Sequence, residues 1–364
     1  MSLDLVLRQD EKAVFALRSL YGKYGYAQYK MSKFEEYDLY VRNKDYLVSE
    51  NVITFTDTDG KLMALKPDVT LSIIKNGKDT DGIQKVFYDE NVYRVSKGTK
   101  SFKEIMQAGL ECIGDVDDYA VSEVLTLAVK SLQTISSDFV LDVSSLDVIG
   151  EVLSQLCLEE SQKKQIINFL SEKNAKGVKS VLDASGKSGD LCEIIIKLAN
   201  EYGTPDKIKE LFSCYNISEQ IQVAVDKLCA LVAELGDKFG KDKIRIDFSV
   251  VNSLNYYNGI VFKGFISGIP TGILSGGQYD NLMLKMGRKA KAIGFAVYLD
   301  ELNKIACSEQ YDVQVAVQYN NAPAEKIKVK VDELIGQGKS VIALKKVPEK
   351  LKYEQLINLG GEDD

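Results

Sequence analysis

Residues 254 to 262 read Leu254-Asn255-Tyr256-Tyr257-Asn258-Gly259-Ile260-Val261-Phe262, and a little further on the chain reads Ser275-Gly276-Gly277-Gln278-Tyr279-Asp280. The β-branched and aromatic run after Gly259 predicts a strand, and the second stretch is typical of the end of a strand. The glycine pair allows a ligand or another strand to approach the backbone closely. Taken separately, each stretch also has a plain structural explanation, because tyrosine pairs are common in cores and glycine pairs are common in turns.

The residues before this region predict a sheet with helices packed on it. Apolar residues at helical spacing predict a helix over residues 11 to 25, and the alternating Tyr37, Leu39 and Val41 predict a strand. A hairpin is expected around Asp59-Gly60, and two strands are expected on either side of residues 89 to 91. Because these strands show no regular alternation with helices, the fold class is α+β with an antiparallel sheet.

Changes in the pattern of helix and strand signals along the chain also predict three structural parts. Residues 147 to 239 consist of amphipathic helices with hardly a strand signal, which is typical of a helical insertion. Residues 1 to 146 and 240 to 308 would then form one core domain. Residues 309 to 364 have the strand, helix and strand of a truncated α/β module.

Composition excludes several functions. The chain has 364 residues, with 46 Lys and Arg against 53 Asp and Glu, and it contains no histidine. Imidazole general bases, Ser-His and Cys-His nucleophile pairs and histidine-ligated zinc are therefore excluded. The formal net charge of -7 also disfavours a broad nucleic-acid footprint.

The cysteines and the hydropathy pattern predict a cytoplasmic protein. The six cysteines lie far apart without a C-x-x-C pair, which is typical of reduced thiols. No stretch approaches the roughly 18 uncharged apolar residues of a membrane span. The N-terminus has no secretory signal pattern, so we expect no membrane attachment.

Several polar residues at strand ends are candidates for a ligand site. Asp68 and Thr70 follow the hairpin, although either one could instead cap a helix N-terminus. Arg94 ends an apolar strand, where it could grip a carboxylate or phosphate or form a surface ion pair. If Leu110 and Cys112 face the core, alternation turns Gln107 and Glu111 to the other face, which would carry a ligand or be solvated.

In combination, the motifs resemble a known family. The set resembles the catalytic fold of class II histidyl-tRNA synthetases, and most closely the paralogous regulatory subunits of ATP phosphoribosyltransferase. The resemblance covers about residues 10 to 305 and includes the helical insertion. It is carried by the two stretches quoted above and by Leu65-Lys66-Pro67-Asp68-Val69-Thr70, Tyr93-Arg94, Gln107-Ala108-Gly109-Leu110-Glu111 and Ala292-Ile293-Gly294-Phe295-Ala296.

Three departures from the synthetase pattern argue against amino-acid activation. Where the synthetases have a glutamate after the motif arginine, this chain has Val95-Ser96, and Glu301 stands where they have an arginine that clamps ATP. A further arginine, which stabilises the acyl-phosphate, is replaced by Asn252. Since electrostatic stabilisation is usually the largest catalytic contribution, the resemblance implies a protein that is not catalytic by itself.

The amino-acid pocket of the family is largely retained. By resemblance, Asp68, Thr70 and Gln107 would hold an α-amino group and Arg94 would face a carboxylate. Glu111 and Tyr257 would meet the nitrogens of an imidazole ring. Asp68 is shorter than the family's more usual glutamate, and Lys66 replaces a common arginine. The expected pocket comprises Asp68, Thr70, Arg94, Gln107, Glu111, Tyr256, Tyr257, Gly276 and Gly277.

The resemblance also implies partners. We expect a homodimer within a hetero-oligomer that contains the short-form catalytic subunit of ATP phosphoribosyltransferase, which performs the first step of histidine biosynthesis. Histidine is the expected effector, tRNA binding is disfavoured, and no cofactor or metal is expected. Two alternatives stay open at this point: an active histidine-tRNA ligase, and a stand-alone module that binds histidine or tRNA.

Overall fold

The structure is a computed structural model that describes residues 7–42, 52–77, 82–96, 99–251, 256–304 and 311–359. Asn252, Leu254 and Asn255 of the quoted motifs lie outside these ranges, as does the C-terminal tail from residue 360. The chain divides into two compact units, one of residues 10–302 and one of residues 303–364 together with residues 1–9.

The larger unit is built on a nine-stranded sheet and a smaller three-stranded one. The strands of this unit are β1 (Ala27–Gln28), β2 (Phe34–Glu36), β3 (Thr54–Thr56), β4 (Leu62–Leu65), β5 (Gln84–Val95), β6 (Phe102–Gly114), β7 (Phe139–Ser145), β8 (Tyr202–Gly203), β9 (Ile244–Asp247), β10 (Asn258–Ile266), β11 (Leu274–Gln278) and β12 (Lys291–Tyr298). The large sheet has the order β1-β5-β6-β12-β11-β10-β7-β9-β8, and the small one has the order β2-β4-β3. Most neighbours in the large sheet are antiparallel, whereas β1 with β5 and β7 with β9 are parallel, which confirms the α+β fold.

The described residues from Gln9 to Leu302 contain eleven α-helices. They are α1 (Gln9–Lys23), α2 (Tyr37–Arg42), α3 (Val69–Asn76), α4 (Asp118–Ile135), α5 (Leu146–Gln155), α6 (Glu160–Ser171), α7 (Ala175–Ala184), α8 (Asp190–Leu198), α9 (Pro205–Ser213), α10 (Glu219–Phe239) and α11 (Asp280–Lys285). A 3-10 helix, Leu299–Lys304, follows β12. The helices α5 to α10 fill residues 146–239 within the same compact unit as the sheet, so a separate insertion with boundaries at 147 and 239 stays a prediction.

Two apolar cores cover the two faces of the large sheet. On one face, Leu110 and Cys112 of β6 belong to the same core cluster as Leu17 of α1 and Leu127 of α4. On the other face, Tyr88 of β5 packs in a second cluster with residues of α3 and β4. Because side chains alternate along a strand, β6 turns Gly109 and Glu111 toward this second face, as the sequence predicts. The face is covered and not solvated.

Three local predictions from the sequence can be compared with the structure, and one of the three is confirmed. The predicted hairpin is present, with β3 antiparallel to β4 and Gly60 at φ +82° in the connection. The strand predicted over residues 37 to 41 is wrong, because this segment is the helix α2, which buries Tyr40 and leaves Val41 exposed. The two strands predicted around residues 89 to 91 are one continuous strand, β5, which pairs with β6 along its whole length.

Residues 311–359 of the smaller unit form three parallel strands and one helix. Its elements are β13 (Val313–Gln318), α12 (Ala324–Gly336), β14 (Val341–Leu344) and β15 (Tyr353–Asn358), with the strand order β14-β13-β15. Leu334 of α12 packs on Val315 and Val317 of the central strand. The predicted strand, helix and strand are therefore present, followed by a third strand that the sequence did not suggest.

Within the described ranges, none of the helices combines the length and the apolar character needed to cross a membrane. The cytoplasmic location stays a prediction.

Candidate ligand-binding site

The register of the large sheet brings the candidate residues to one face. Glu111 lies opposite Gly294, Gly294 lies opposite Gly277, and Gly277 lies opposite Val261. Directly opposed residues point to the same side of a sheet. Arg94 lies opposite Lys103 on β6, an even number of residues from Glu111, so it shares this face, which we call the site face.

Glu111 is the most deeply buried acid of the site. Its side chain accepts a hydrogen bond from the Thr70 hydroxyl at 2.7 Å on Oε1 and one from the Tyr279 hydroxyl at 2.6 Å on Oε2. The residue is 2% exposed. Burial raises the pKa of the Glu111 carboxyl to about 8, the two hydroxyl donors oppose this effect, and the nearby Asp68 adds to it. Among the residues that the structure describes, the hydrogen bonds to this carboxyl come from neutral hydroxyls and none comes from a cation.

Asp68 caps α3 and lies near Arg94. Its Oδ1 accepts the backbone N–H of Leu71 at 3.0 Å, so the helix-cap interpretation of Asp68 is confirmed. Burial raises the pKa of Asp68, and the Arg94 guanidinium and the backbone donors oppose the rise. The helix begins here because Pro67 precedes the cap and the short aspartate side chain satisfies a free N–H. Thr70 then lies in the first turn of α3, within reach of Glu111.

Arg94 is held by the backbone that leads into α3. Its Nε donates to the Pro67 carbonyl at 3.0 Å. Burial raises the pKa of the Tyr298 phenol at the end of β12, and the charge of Arg94 opposes this rise. Since Pro67 immediately precedes Asp68, the cation and the α3 cap are linked through one short backbone segment. In this part of the site face, a guanidinium thus lies close to the Asp68 carboxyl.

Three tyrosines line the site from the β10 and β11 side. The ring centroids of Tyr256 and Tyr257 are 4.5 Å apart, and those of Tyr256 and Tyr279 are 6.0 Å apart. Tyr279 donates its hydroxyl proton to Oε2 of Glu111, so the tyrosine group adjoins the carboxyl directly. Burial raises the pKa of each of the three phenols well above its ordinary value, so they stay neutral donors.

Two of the glycines are required by their neighbours on the site face. A Cβ at Gly294 would overlap Oε2 of Glu111, and a Cβ at Gly277 would lie 2.8 Å from Cδ1 of Tyr257. Gly276 does not belong to this face, which corrects the sequence expectation. A Cβ there would lie 2.5 Å from Cβ of Phe295 and 2.7 Å from Cζ of Phe262 in the opposite core, because alternation turns neighbouring residues to opposite sides.

Gln107 continues the polar row along the site face. It is 3% exposed and lies opposite Glu90 on β5 and opposite Tyr298 on β12. Glu90 in turn accepts a hydrogen bond at 3.1 Å from Nζ of Lys66, a lysine with no exposed surface. Burial lowers the pKa of Lys66, and the Glu90 carboxylate opposes this.

The structure therefore brings together eight of the nine predicted positions and adds two more. The eight are Asp68, Thr70, Arg94, Gln107, Glu111, Tyr256, Tyr257 and Gly277. The sequence interpretation missed Tyr279 and Tyr298 as site residues. A signal for both was present, since counting in steps of two from Gly277 reaches Tyr279 and counting from Gly294 reaches Tyr298.

The arrangement suits recognition of a small polar molecule. One guanidinium, two carboxyl groups, an amide and several phenols match a zwitterion that carries additional N–H groups. In the described part of the chain, no group of three or more cysteine, aspartate or glutamate side chains is placed to hold a metal ion. Nothing in this chemistry requires the site to make or break a covalent bond.

The fold and the site place the chain among class II synthetase-like proteins. The family model described as histidyl-tRNA synthetase matches residues 5–302, and the chain belongs to this family.

Within the family, the similarity is to regulatory proteins as well as to ligases. The chain is 29% identical over 283 residues to an ATP phosphoribosyltransferase regulatory subunit of Oceanobacillus iheyensis, covering 77% of this chain and 69% of the relative. Its fold matches a crystal structure from Bacillus halodurans described as an ATP phosphoribosyltransferase regulatory subunit/histidyl-tRNA synthetase, with a TM-score of 0.76, 21% identity and coverage of 96% and 93% of the two chains. It also matches a chain of the ATP phosphoribosyl transferase (HisG:HisZ) complex of Thermotoga maritima, with a TM-score of 0.64, 18% identity and coverage of 80% and 97%.

Proposed function

We propose that this protein is a non-catalytic regulatory subunit of ATP phosphoribosyltransferase. It would form a homodimer, bind the short-form catalytic subunit and carry histidine on its site face as an effector. The name of the Oceanobacillus relative supports the regulatory role, and the Thermotoga complex supports a catalytic partner.

One observation carries the proposal: the site face groups the residues of the expected pocket, while the chain has an acidic residue at the position where, by resemblance, a synthetase has a cation. The hydroxyls of Thr70 and Tyr279 both donate to the Glu111 carboxyl. Glu301, directly after β12, accepts a hydrogen bond from the Thr271 hydroxyl at 3.2 Å. By resemblance, this is the position of the arginine that clamps ATP. A carboxylate there repels the phosphates of ATP, so ligand recognition and activation are separated.

Histidine matches the polar groups of the pocket. Its carboxylate would pair with Arg94, its ammonium group would meet Asp68 and Gln107, and an imidazole N–H would donate to Glu111. Regulation then requires that histidine bind one state of the assembly more tightly than another. The effect on the partner follows from this difference in affinity.

Reconstitution with the short-form catalytic subunit tests the function. We expect the catalytic subunit to form phosphoribosyl-ATP much faster with this protein than without it. We also expect histidine to lower the rate at which the mixture forms this product. Unchanged activity of the catalytic subunit would contradict the regulatory role. Size-exclusion chromatography with light scattering on the same mixtures measures the homodimer and the hetero-oligomer.

The family model's description favours one competing function, histidine-tRNA ligase. Histidine-dependent exchange between ATP and pyrophosphate measures the first step of that reaction. We expect no exchange above the background of a heat-treated sample. Robust exchange would replace the regulatory proposal with the ligase.

A further inference from the structure

Glu90 is an acid on the site face that the expected pocket does not include. It lies directly opposite Gln107 in the pairing of β5 with β6, and an even number of residues separates it from Arg94, so the three side chains share this face. Directly opposed residues of an antiparallel pair have Cβ atoms about 5 Å apart. The carboxylate of Glu90 and the amide of Gln107 are therefore neighbours at one level of the site face.

Lys66 holds one oxygen of the Glu90 carboxylate. Its Nζ donates to Oε2 of Glu90 at 3.1 Å, and the lysine side chain has no exposed surface, whereas 17% of the Glu90 side chain is exposed. The backbone of Lys66 is also fixed beside β5, because its carbonyl accepts the N–H of Tyr93 at 2.9 Å. The buried ammonium thus fixes a carboxylate that is itself still partly accessible.

Glu90 keeps capacity for a second donor. A carboxylate has about four acceptor positions on its two oxygens. Within the described ranges, the hydrogen bond to the Glu90 side chain comes from Lys66 and occupies Oε2. Oε1 can therefore accept an N–H from a ligand while Oε2 stays bound to Lys66.

The level of Glu90 and Gln107 also matches the place of the ammonium group in an amino acid. Arg94 lies beyond Glu90 toward one end of the strand pair, and Glu111 lies beyond Gln107 toward the other end. An amino acid with its carboxylate toward Arg94 and its side chain toward Glu111 places its ammonium group between the two. Glu90 and Gln107 occupy this intermediate level.

We propose that Glu90 is a specificity-determining residue that binds the ammonium group of the bound amino acid, and that Lys66 positions it. The inference rests on the proposed function, because it takes the ligand of the site face to be an amino acid. A hydrogen bond from an ammonium to a carboxylate is about twice as strong as one between neutral groups. Glu90 would therefore set the preference for histidine over imidazolepropionate, which has the same ring and carboxylate but lacks the ammonium group.

The test compares these two ligands on two matched variants. Glu90→Gln keeps the size of the side chain and removes its charge. Glu35→Gln is the control, because Glu35 also pairs with a lysine, Lys75, at 3.0 Å and is almost buried, but lies on β2 of the small sheet. Isothermal titration calorimetry on the full-length protein measures histidine binding directly and imidazolepropionate binding in competition with histidine.

We expect Glu90→Gln to weaken histidine binding about thirtyfold, within the range for a hydrogen bond between charged groups, and to leave imidazolepropionate binding unchanged. Glu35→Gln should change the affinity for neither ligand. Because Glu90→Gln leaves a buried lysine without its acid, the double variant Lys66→Met/Glu90→Gln is measured beside it, and the same selective loss is expected there.

An equal loss for both ligands would overturn the proposal, since it would indicate a general disturbance of the pocket. Unchanged histidine affinity in a folded variant would overturn it too, and the proposed function would then stand without this residue. If the parent protein binds no histidine, the proposed effector is wrong and this inference fails with it, whereas activation of the catalytic subunit is measured independently.

Discussion

Two buried carboxyl groups on the site face have opposite surroundings. Asp142 of β7 receives two hydrogen bonds from Arg245 of β9, from Nε at 2.8 Å and from Nη2 at 3.1 Å, and Lys263 lies directly opposite it on β10. Glu111 of β6 receives its hydrogen bonds from the neutral hydroxyls of Thr70 and Tyr279. Both side chains are almost fully buried.

The difference separates a structural acid from one that is prepared for a ligand. A buried charge needs a partner, and Asp142 has a bidentate one within the protein. Neutral hydroxyls orient the Glu111 carboxyl but do not cancel a negative charge, so a ligand with an N–H group or a positive charge gains more at Glu111 than at Asp142. We therefore expect changes at Asp142 to affect folding and changes at Glu111 to affect binding.

The largest effect should follow from Asp142→Ala. Removing one member of a buried ion pair leaves the other uncompensated, and because about a third of the Arg245 side chain is exposed we expect a loss at the low end of the usual range, about 3 kcal/mol of unfolding free energy. Urea unfolding measures this change. The matched control is Asp118→Ala, which removes an exposed partner of Lys227 and should alter stability by less than about 0.5 kcal/mol.

Histidine affinity of the folded Asp142→Ala protein should equal that of the parent. If Asp142→Ala instead lost much of its histidine affinity and little of its stability, Asp142 would be a binding residue and its structural assignment would be wrong.

The sequence predicts the Glu111 side of this comparison and not the Asp142 side. Alternation along β6 places Glu111 on the other side of the sheet from its neighbours Leu110 and Cys112, which face the core. This prediction needs only local sequence information. Asp142 and Arg245 are separated by 103 positions and meet because β7 and β9 pair in parallel, which no local pattern indicates.

Two wrong predictions have a common cause. Each relied on the local pattern of polar and apolar residues and lacked the contacts that these residues make with distant parts of the chain. Alternating Tyr37, Leu39 and Val41 fit a strand, yet the chain forms a helix that buries Tyr40 instead. Asp89 and Glu90 were interpreted as a break between strands, but Asp89 pairs with Arg18 and Glu90 with Lys66, so the strand continues. Polar residues interrupt a strand only where the fold leaves them without partners.

The next largest effect concerns binding through Glu111→Ala. The substitution removes the acceptor for the ligand N–H and leaves the hydroxyls of Thr70 and Tyr279 without their partner. We expect histidine affinity to fall about a hundredfold, which equals about 2.7 kcal/mol, with the dimer unchanged. Calorimetry measures the affinity and light scattering measures the dimer. Unchanged affinity would mean that the ligand does not use this carboxyl.

The smallest effect is the pH dependence that Glu111 adds to stability. Its pKa is raised to about 8 in the folded protein from 4.5 in the unfolded chain, so the folded state keeps a proton that the unfolded state releases between these values. The contribution of this group is complete below pH 4.5 and is lost as the pH rises through about 8. Between about pH 6 and pH 7.5 the parent should lose about 2 kcal/mol of unfolding free energy through this group. Glu111→Gln, which resembles the protonated acid, should lack this component, and the difference between parent and variant in urea unfolding isolates it from all other titrating groups.

Parallel pH profiles of the two proteins would show that Glu111 is ionised in the folded state, and the contrast with Asp142 would then rest on hydrogen-bond geometry alone.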